Sequence, residues 1–205
     1  MRDEAFTKEA AKLFPHFSRF KGFYLVGGTA LALHIGHRIS VDFDLFSSDE
    51  LSSQLLQGVK RVFSRYPISV TYRAPDQLTL FIHNIKTTFF HYPYPLIDRC
   101  IKYQGVPVAT IQEIAAMKAF AIGKRLSYKD YVDWYFLLKE RHVNLSEVIA
   151  HAKKKFSGDF NDRLFLGQLV SFADIATQKI DFLQREVSRD TIENFLKKAV
   201  HEFKL

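Results

Sequence analysis

The chain contains a single cysteine, Cys100, and no apolar run of the roughly 20 residues needed to cross a bilayer. One cysteine excludes an intrachain disulfide and a cysteine-rich zinc cluster, and it is typical of a reducing compartment. We interpret Cys100 as a small core residue. The first residues lack the hydrophobic centre of a signal peptide, so we expect a cytoplasmic protein without a membrane segment.

The composition is that of a folded protein with a positive surface. The 205 residues are 47% hydrophobic and 25% charged, which is ordinary for a globular domain. The formal net charge of +7 favours polyanions such as RNA, DNA or nucleotides, although many basic proteins bind no nucleic acid.

Hydrophobic periodicity divides the chain into two parts. Strands are predicted at 23–26, 40–46, 68–72, 78–82 and 85–92, and helices at 3–20, 29–35 and 48–65. The later part is helical, with helices capped by Thr110 and Ser127 and further helices at 146–156, 161–176 and 189–203. We predict an α/β (α+β) fold, with a mixed sheet and flanking helices in residues 1–105 and a helical half in residues 106–205.

Two carboxylates on one predicted strand are the first candidate site. Asp42 and Asp44 alternate with the apolar residues Val41, Phe43 and Leu45. Residues two apart on a strand share a face, so we expect the acids to project together and the apolar residues to face a core. Carboxylates about 6.5 Å apart repel unless one is protonated or a divalent ion lies between them, and oxygen ligands favour Mg²⁺ or Mn²⁺. The alternatives are solvated acids at a strand end or caps for the next helix.

A glycine pair precedes this strand. Gly27 and Gly28 allow backbone N–H groups to approach phosphate oxygens, and a helix beginning at Thr29 adds its dipole and a hydroxyl donor. The alternative is a tight turn with Thr29 as an ordinary N-cap. Because the acidic strand follows the glycine pair in the sequence, the turn predicts a site for a nucleoside triphosphate.

Further basic and polar residues could contact that triphosphate. Arg38 could hold a phosphate in a bidentate contact or balance the aspartates in a salt bridge, and Ser40 lies beside it. In the helical half, Lys118, Arg125 and Lys129 could meet the triphosphate across a cleft, although surface lysines are usually only solvated. Lys118 stands out because it lies in an apolar stretch, where a buried amine would need an anionic partner.

Asp130 and Asp133 are three residues apart and therefore neighbours on a helix surface. Asp130 could act as a general base, orient Lys118, or form a capping box with Ser127. Histidines 34, 37, 83 and 91 show no metal-ligand spacing, and we assign them no role.

Two motifs carry a resemblance to a known family. The first is Gly27-Gly28-Thr29 followed by Arg38-x-Ser40-x-Asp42-x-Asp44, and it resembles the nucleotidyltransferase fold of the DNA polymerase beta superfamily. The second runs from Lys118 through Gly123-Lys124-Arg125 to Lys129-Asp130-x-x-Asp133, and with it the chain is similar to the AbiEii/AbiGii toxin family.

The resemblance implies a catalytic α/β half, a helical half that completes the cleft, Mg²⁺, and transfer of a nucleotidyl group from a nucleoside triphosphate. It also implies a toxin of a toxin–antitoxin or phage-defence system, with RNA (tRNA) as the acceptor and a cognate antitoxin as a partner. The superfamily commonly places a third carboxylate on a later strand, and residues 85–92 contain none. A transferase that modifies a protein or small molecule and an inactive nucleotide- or partner-binding protein therefore remain alternatives.

Overall fold

The computed structural model describes residues 1–122, 124 and 127–204. Within these residues the strands are β1 (Tyr24–Val26), β2 (Phe43–Ser47), β3 (Ile68–Arg73), β4 (Gln77–Ile82), β5 (Ile85–His91), β6 (Ile101–Tyr103) and β7 (Val106–Val108). The α-helices are α1 (Lys8–Leu13), α2 (Gly27–Ile35), α3 (Leu55–Val62), α4 (Ile111–Ala121), α5 (Tyr128–Lys139), α6 (Leu145–Phe156), α7 (Asp162–Leu169) and α8 (Arg189–Glu202).

All of these strands belong to one mixed sheet with the order β3-β4-β5-β2-β1-β7-β6. β2 runs parallel to β5 and β1 runs parallel to β7, while the other neighbouring strands are antiparallel. The predicted α/β fold with a mixed sheet and flanking helices is therefore confirmed. β6 and β7 were not predicted, because β6 has no buried residue and β7 contains Pro107. β7 lies beyond residue 105, and the division into two domains stays a prediction.

The core face of β2 carries alternate apolar residues, as predicted. Phe43 and Leu45 are buried, and the Phe43 ring lies 4.8 Å from that of Phe17, centroid to centroid. Phe17 in turn lies 5.2 Å from Phe63, so the helices on this face pack against the strand through aromatic rings. A register slip of one residue in β2 would direct the Asp44 side chain towards this core, so the packing fixes the face on which Asp44 projects.

The acidic strand begins later than predicted, at Phe43 instead of Ser40. Asp42 lies one residue before the strand, and Val41 is 36% exposed, so the expectation that Val41 faces the core is wrong. The backbone N–H groups of Ile39 and Ser40 donate to the carbonyls of Asp181 and Ala5. These partners are distant in sequence, and a periodicity cannot indicate them.

Three predicted helices are shorter than their apolar spacing indicated, and of the helix predicted at 161–176 only Asp162–Leu169 is helical. The leading helix 3–20 is interrupted at Pro15, where α1 gives way to a 3-10 helix over Phe14–Arg19. The helix predicted at 48–65 spans only Leu55–Val62, because the hydroxyls of Ser47 and Ser52 accept hydrogen bonds from nearby backbone N–H groups in non-helical turns.

Cys100 is half-buried and packs against the core, in line with its prediction as a core residue, and burial raises the pKa of its thiol to about 11. None of the helices in the described part of the chain has both the length and the apolar character that a membrane span requires.

Candidate active site

Asp44 lies directly against the glycine turn. It is the cross-strand partner of Val26, the residue before the turn, and a Cβ atom built on Gly27 would lie 2.5 Å from its Oδ2 atom. Gly27 also has a φ of 72°, a conformation that costs little only for glycine. Position 27 therefore needs glycine both for its backbone and for the space that the Asp44 carboxylate occupies.

The glycine turn forms the first residues of α2. The preceding residue, Val26, makes no side-chain cap hydrogen bond. The first N–H groups of a helix have no partner within the helix and carry its positive partial charge. The beginning of α2 thus carries positive partial charge beside a carboxylate, which is the combination that a metal–triphosphate pair would use.

Thr29 lies inside α2, and the alternative that it is the N-cap is wrong. Its hydroxyl is 2.8 Å from the hydroxyl of Ser40 and donates to the carbonyl of Asp42. Thr29 and Ser40 therefore hold the segment that leads into β2 against the first turn of α2. A direct contact of either residue with a phosphate stays a prediction.

Arg38 connects the glycine turn to the helical half. Its Nη2 atom lies 2.5 Å from the position that a Cβ of Gly28 would take. The same guanidinium donates to Asp133 in a bidentate pair, with Nε–Oδ1 at 2.8 Å and Nη2–Oδ2 at 3.1 Å. Arg38 thus balances the charge of Asp133 while lying over the glycine pair.

Asp133 is the centre of a buried polar cluster. Besides Arg38, it is 2.6 Å from the Nζ atom of Lys118 and 2.7 Å from the Nε2 atom of His37. Lys118 also donates to Oδ1 of Asp130 at 2.8 Å. The expected anionic partner of Lys118 is therefore confirmed, and Asp130 orients it. Ser127 makes no side-chain cap hydrogen bond, so the capping box with Asp130 is wrong.

Charges in the cluster compensate for burial. Burial alone would raise the pKa of Asp133, but the positive charges of Arg38 and Lys118 outweigh it and hold that pKa well below its usual range. Burial likewise opposes the charge of Arg38, and Asp133 outweighs it and raises the pKa of the guanidinium. Burial lowers the pKa of His37 despite its bond to Asp133, which favours the neutral imidazole.

Sequence reasoning gave His37 no role and Asp133 only a minor one. Besides its place in the family motif, the signal for Asp133 was its position among the apolar and aromatic residues of α5, which are almost all buried. The remaining basic candidates are less informative. Lys129 is exposed on α5, and Arg125 lies outside the described residues.

β5, the strand that pairs with β2 at Asp44, has a threonine there and contains no acidic residue. Thr88 on β5 is the parallel partner of Asp44, and β5 contains no carboxylate. β5 therefore does not supply the third strand carboxylate that the resemblance implies.

Another group of three possible metal ligands is formed by Asp98, Glu113 and His151, whose ligand atoms lie within 4.8 Å of one another. Glu113 is fully buried, accepts hydrogen bonds from two backbone N–H groups and lies 2.9 Å from Nζ of Lys155. These contacts explain the group as a buried ion pair that joins α4 to α6.

The fold is that of nucleotidyltransferases. MenT4, a nucleotidyltransferase toxin from Mycobacterium tuberculosis H37Rv, superimposes with a TM-score of 0.62 at 17% identity, covering 99% of this chain and 87% of that chain. A candidate nucleotidyltransferase from H. pylori gives a TM-score of 0.62 at 20% identity, covering 98% of this chain and 95% of the other. These identities show a shared fold and nothing further.

The sequence model of the family described as nucleotidyl transferase AbiEii toxin, type IV toxin–antitoxin system, matches residues 11–94 and 86–204. The chain belongs to this family and is a nucleotidyltransferase, as its two motifs predicted. A relative from Aquifex aeolicus (strain VF5), described as an uncharacterized protein, is 34% identical over 184 residues, which are 88% of this chain and 87% of that protein.

Proposed function

We propose that this toxin-family enzyme transfers a nucleotidyl group from a nucleoside triphosphate to RNA, tRNA being the expected acceptor, with Mg²⁺ held by Asp42 and Asp44. The observation that carries the proposal is the contact of the Asp44 carboxylate with the Gly27 turn. This contact supports the proposal, because a metal–triphosphate pair would use a carboxylate and a helix N-terminus that lie side by side. The family supports the reaction class, the toxin role and the existence of an antitoxin.

The residues beside the turn fit a divalent cation. The missing Cβ of Gly27 leaves the space in which the Asp44 carboxylate lies, and Asp42 is two residues away. Their hard oxygen atoms suit Mg²⁺ or Mn²⁺. A bound ion would neutralise negative charge on the attacking and leaving oxygens.

The chain's own groups would hold the triphosphate. The N–H groups at the start of α2 would bind phosphate oxygens, with Gly28 allowing close approach. Arg38 has five N–H donors, of which Asp133 and the carbonyl of Ile39 take three in the described part of the chain. Two donors remain, so Arg38 can contact a phosphate while Asp133 keeps it in place.

We assign Asp130 to positioning Lys118, because its Oδ1 accepts from the lysine Nζ at 2.8 Å and a paired carboxylate is a weak base. Asp133 has the same relation to Arg38. The two acids of α5 thus act through the cations that they hold. RNA and nucleoside triphosphates are both cytoplasmic molecules, so the proposed reaction takes place in that compartment.

The presence of Thr88 beside Asp44 favours one competing account, an inactive protein that binds nucleotide or a partner. Purified protein with Mg²⁺, each α-labelled nucleoside triphosphate and total cellular RNA distinguishes the accounts. Label in RNA supports the proposal, and label in protein or in a small molecule indicates another acceptor. Triphosphate binding without transfer indicates the inactive protein.

Asp44→Asn is the negative variant for this assay. Asp174→Asn is the matched control, because Asp174 is exposed on the loop after α7 and the substitution removes the same charge away from the turn. Label in RNA that persists with Asp44→Asn would refute the assignment of the site.

A further inference from the structure

The segment that carries Arg38 belongs to no strand of the sheet. α2 ends at Ile35 and β2 begins at Phe43, so residues 37–39 have no neighbouring strand of the sheet to hold them. Arg38 nevertheless lies directly over Gly28 in the glycine turn. The position of its guanidinium therefore depends on contacts that this segment makes elsewhere in the chain.

An irregular segment between α7 and α8 supplies backbone contacts to Arg38. Residues 170–188 contain no helix and no strand of the sheet, and we call them the strap. Phe182, in the later part of the strap, forms an isolated antiparallel bridge with Arg38. The strap thus lies alongside Arg38 as a neighbouring strand would.

Two backbone hydrogen bonds flank this bridge. The N–H of Ile39 donates to the carbonyl of Asp181 at 2.8 Å. The N–H of Leu183 donates to the carbonyl of His37 at 3.1 Å. Because these bonds join main-chain atoms on both sides of Arg38, they fix the direction in which its side chain leaves the backbone.

The side chain of Phe182 joins the strap to α5. Its ring lies 6.1 Å from the ring of Phe136, centroid to centroid, and the Phe136 ring lies 5.3 Å from that of His37. Phe136 is three residues after Asp133, so the two side chains are neighbours on the surface of α5. The strap therefore packs against the part of α5 that binds Arg38 through Asp133.

Arg189, the first residue of α8, anchors the strap near its beginning. Its guanidinium donates to the carbonyls of Phe172 and Ile175 at 3.0 and 2.8 Å. Between these anchors and Phe182, residues 177–179 are exposed. The strap is thus fixed at its base and at the bridge to Arg38, and it is open to solvent between them.

We propose that the strap is a positioning element of the active site, in which Phe182 and the flanking backbone bonds hold Arg38 for its contact with the triphosphate. Triphosphate binding in turn holds the strap closed, because a ligand that binds better to one arrangement must also favour that arrangement. The inference rests on the proposed function and adds to it the part of the chain that controls triphosphate affinity.

A purely structural role of the strap is the competing account. A strap that only stabilised the fold would change the amount of folded enzyme, and with it the maximal rate, but not the KM of the folded enzyme. The strap bonds to His37 and Ile39, the two residues that flank Arg38, and this placement favours the positioning role.

The first test measures kcat and KM of the full-length protein with Mg²⁺, an α-labelled nucleoside triphosphate and total cellular RNA. Phe182→Ala is expected to raise the KM for the triphosphate about 10-fold, the loss expected for a hydrogen bond to a charged group. Its kcat is expected to change less than about 2-fold, because the contact is lost from the bound substrate and the transition state alike. Phe182→Leu keeps an apolar side chain against Phe136 and is expected to restore a KM close to that of the wild type.

Phe203→Ala is the matched control. Phe203 is also a half-buried phenylalanine that packs against the core, but it follows α8. This variant is expected to lower stability and to leave the KM for the triphosphate unchanged. If Phe182→Ala likewise lowers only the maximal rate, the strap has a structural role and the positioning role is overturned.

Amide hydrogen exchange tests the coupling in the wild-type protein. Saturating Mg²⁺ and triphosphate are expected to slow exchange of the N–H groups of Ile39 and Leu183, which form the two bonds to the strap. The N–H of Phe203, which donates to the carbonyl of Val200, is the control and is expected to exchange at an unchanged rate. If bound triphosphate leaves the exchange of Ile39 and Leu183 unchanged, the coupling is overturned, and this holds even if Phe182→Ala does not fold.

The outcomes separate this inference from the proposed function. If the wild-type protein neither binds triphosphate nor labels RNA, both are overturned. If RNA is labelled and Phe182→Ala has the wild-type KM for the triphosphate, only the positioning role of the strap is overturned. If the wild type binds triphosphate without transfer, the proposed reaction is overturned, and calorimetric Kd values of wild type and Phe182→Ala decide the role of the strap.

Discussion

Arg38 and Asp133, which are 95 residues apart in the sequence, form a bidentate ion pair in which the Asp133 carboxylate is fully buried. Arg38 directly precedes the segment that leads to the acidic strand, and Asp133 lies on α5 in the helical half. The pair places a guanidinium over Gly28 and joins the two halves at the candidate active site.

Loss of the Asp133 charge is expected to destabilise the protein strongly. In Asp133→Asn, Arg38 and Lys118 remain buried without their common counter-charge, and breaking a buried pair in this way costs about 3–5 kcal/mol. Urea denaturation measures the free energy of unfolding. Glu202→Gln is the control, because its ion pair with Lys198 is exposed and worth less than about 1 kcal/mol. Equal losses in the two variants would contradict the structural role of Asp133.

Removing the metal-binding charge is expected to abolish transfer without unfolding the protein. Asp44→Asn and Asp42→Asn should each lower the rate of nucleotidyl transfer at least about 100-fold, because charge on the reacting oxygens is no longer neutralised. Transfer is measured with α-labelled triphosphate, and circular dichroism checks the fold. A rate within a few-fold of the wild type in either variant would remove that residue from the site.

Gly27→Ala is expected to damage both fold and site. The positive φ costs about 1–2 kcal/mol for alanine, and the new Cβ would displace the Asp44 carboxylate. The matched control is Gly167→Ala in α7, where a Cβ meets nothing within 4 Å. It is expected to raise helix stability by about 0.5–1 kcal/mol. Urea denaturation and calorimetric measurement of triphosphate binding compare the two variants. An affinity of Gly27→Ala for the triphosphate equal to that of the wild type would contradict the proposed turn site.

Mild acid is expected to destabilise the protein through His37. Because burial lowers its pKa in the folded state below the ordinary value of 6.5, the unfolded chain takes up a proton more readily. The free energy of unfolding should therefore fall as the pH drops below 6.5, by up to about 1.4 kcal/mol per pH unit for one proton.

The variant His37→Gln keeps a donor for Asp133 and is expected to flatten part of this slope. Burial also lowers the pKa of His34, which accounts for a further part of the slope. Urea denaturation of the wild type and of His37→Gln, in the same buffer at each of a series of pH values from 7 downward, measures the slope of the free energy of unfolding against pH for both proteins. If the two proteins have parallel curves, the assignment to His37 is incorrect.

Local patterns were sufficient for the features that depend on neighbours in sequence. The alternation of Phe43 and Leu45 with Asp44 predicted which face of β2 is buried, and the glycine pair predicted where β1 gives way to α2, although the helix begins at Gly27 and not at Thr29. These features depend on side-chain alternation and on backbone conformations that single residues dictate.

Features that depend on distant partners could not be predicted. The sequence around Arg38 allows either a phosphate contact or an ion pair, and nothing nearby indicates that Asp133 is the partner. Ser127 and Asp130 have the spacing of a capping box, but Asp130 pairs with Lys118 because a buried amine needs a counter-charge more than a helix end needs a side-chain cap.

β1, which ends at the glycine turn, is held between β2 and β7. β7 ends at Val108, so β1 can pair with both of its neighbours only after more than half of the chain has been synthesised. A product that terminates early, through a nonsense codon or a stalled ribosome, would lack this support and is expected to be harmless. For a member of a toxin family, a chain that stops before Val108 would then be inactive.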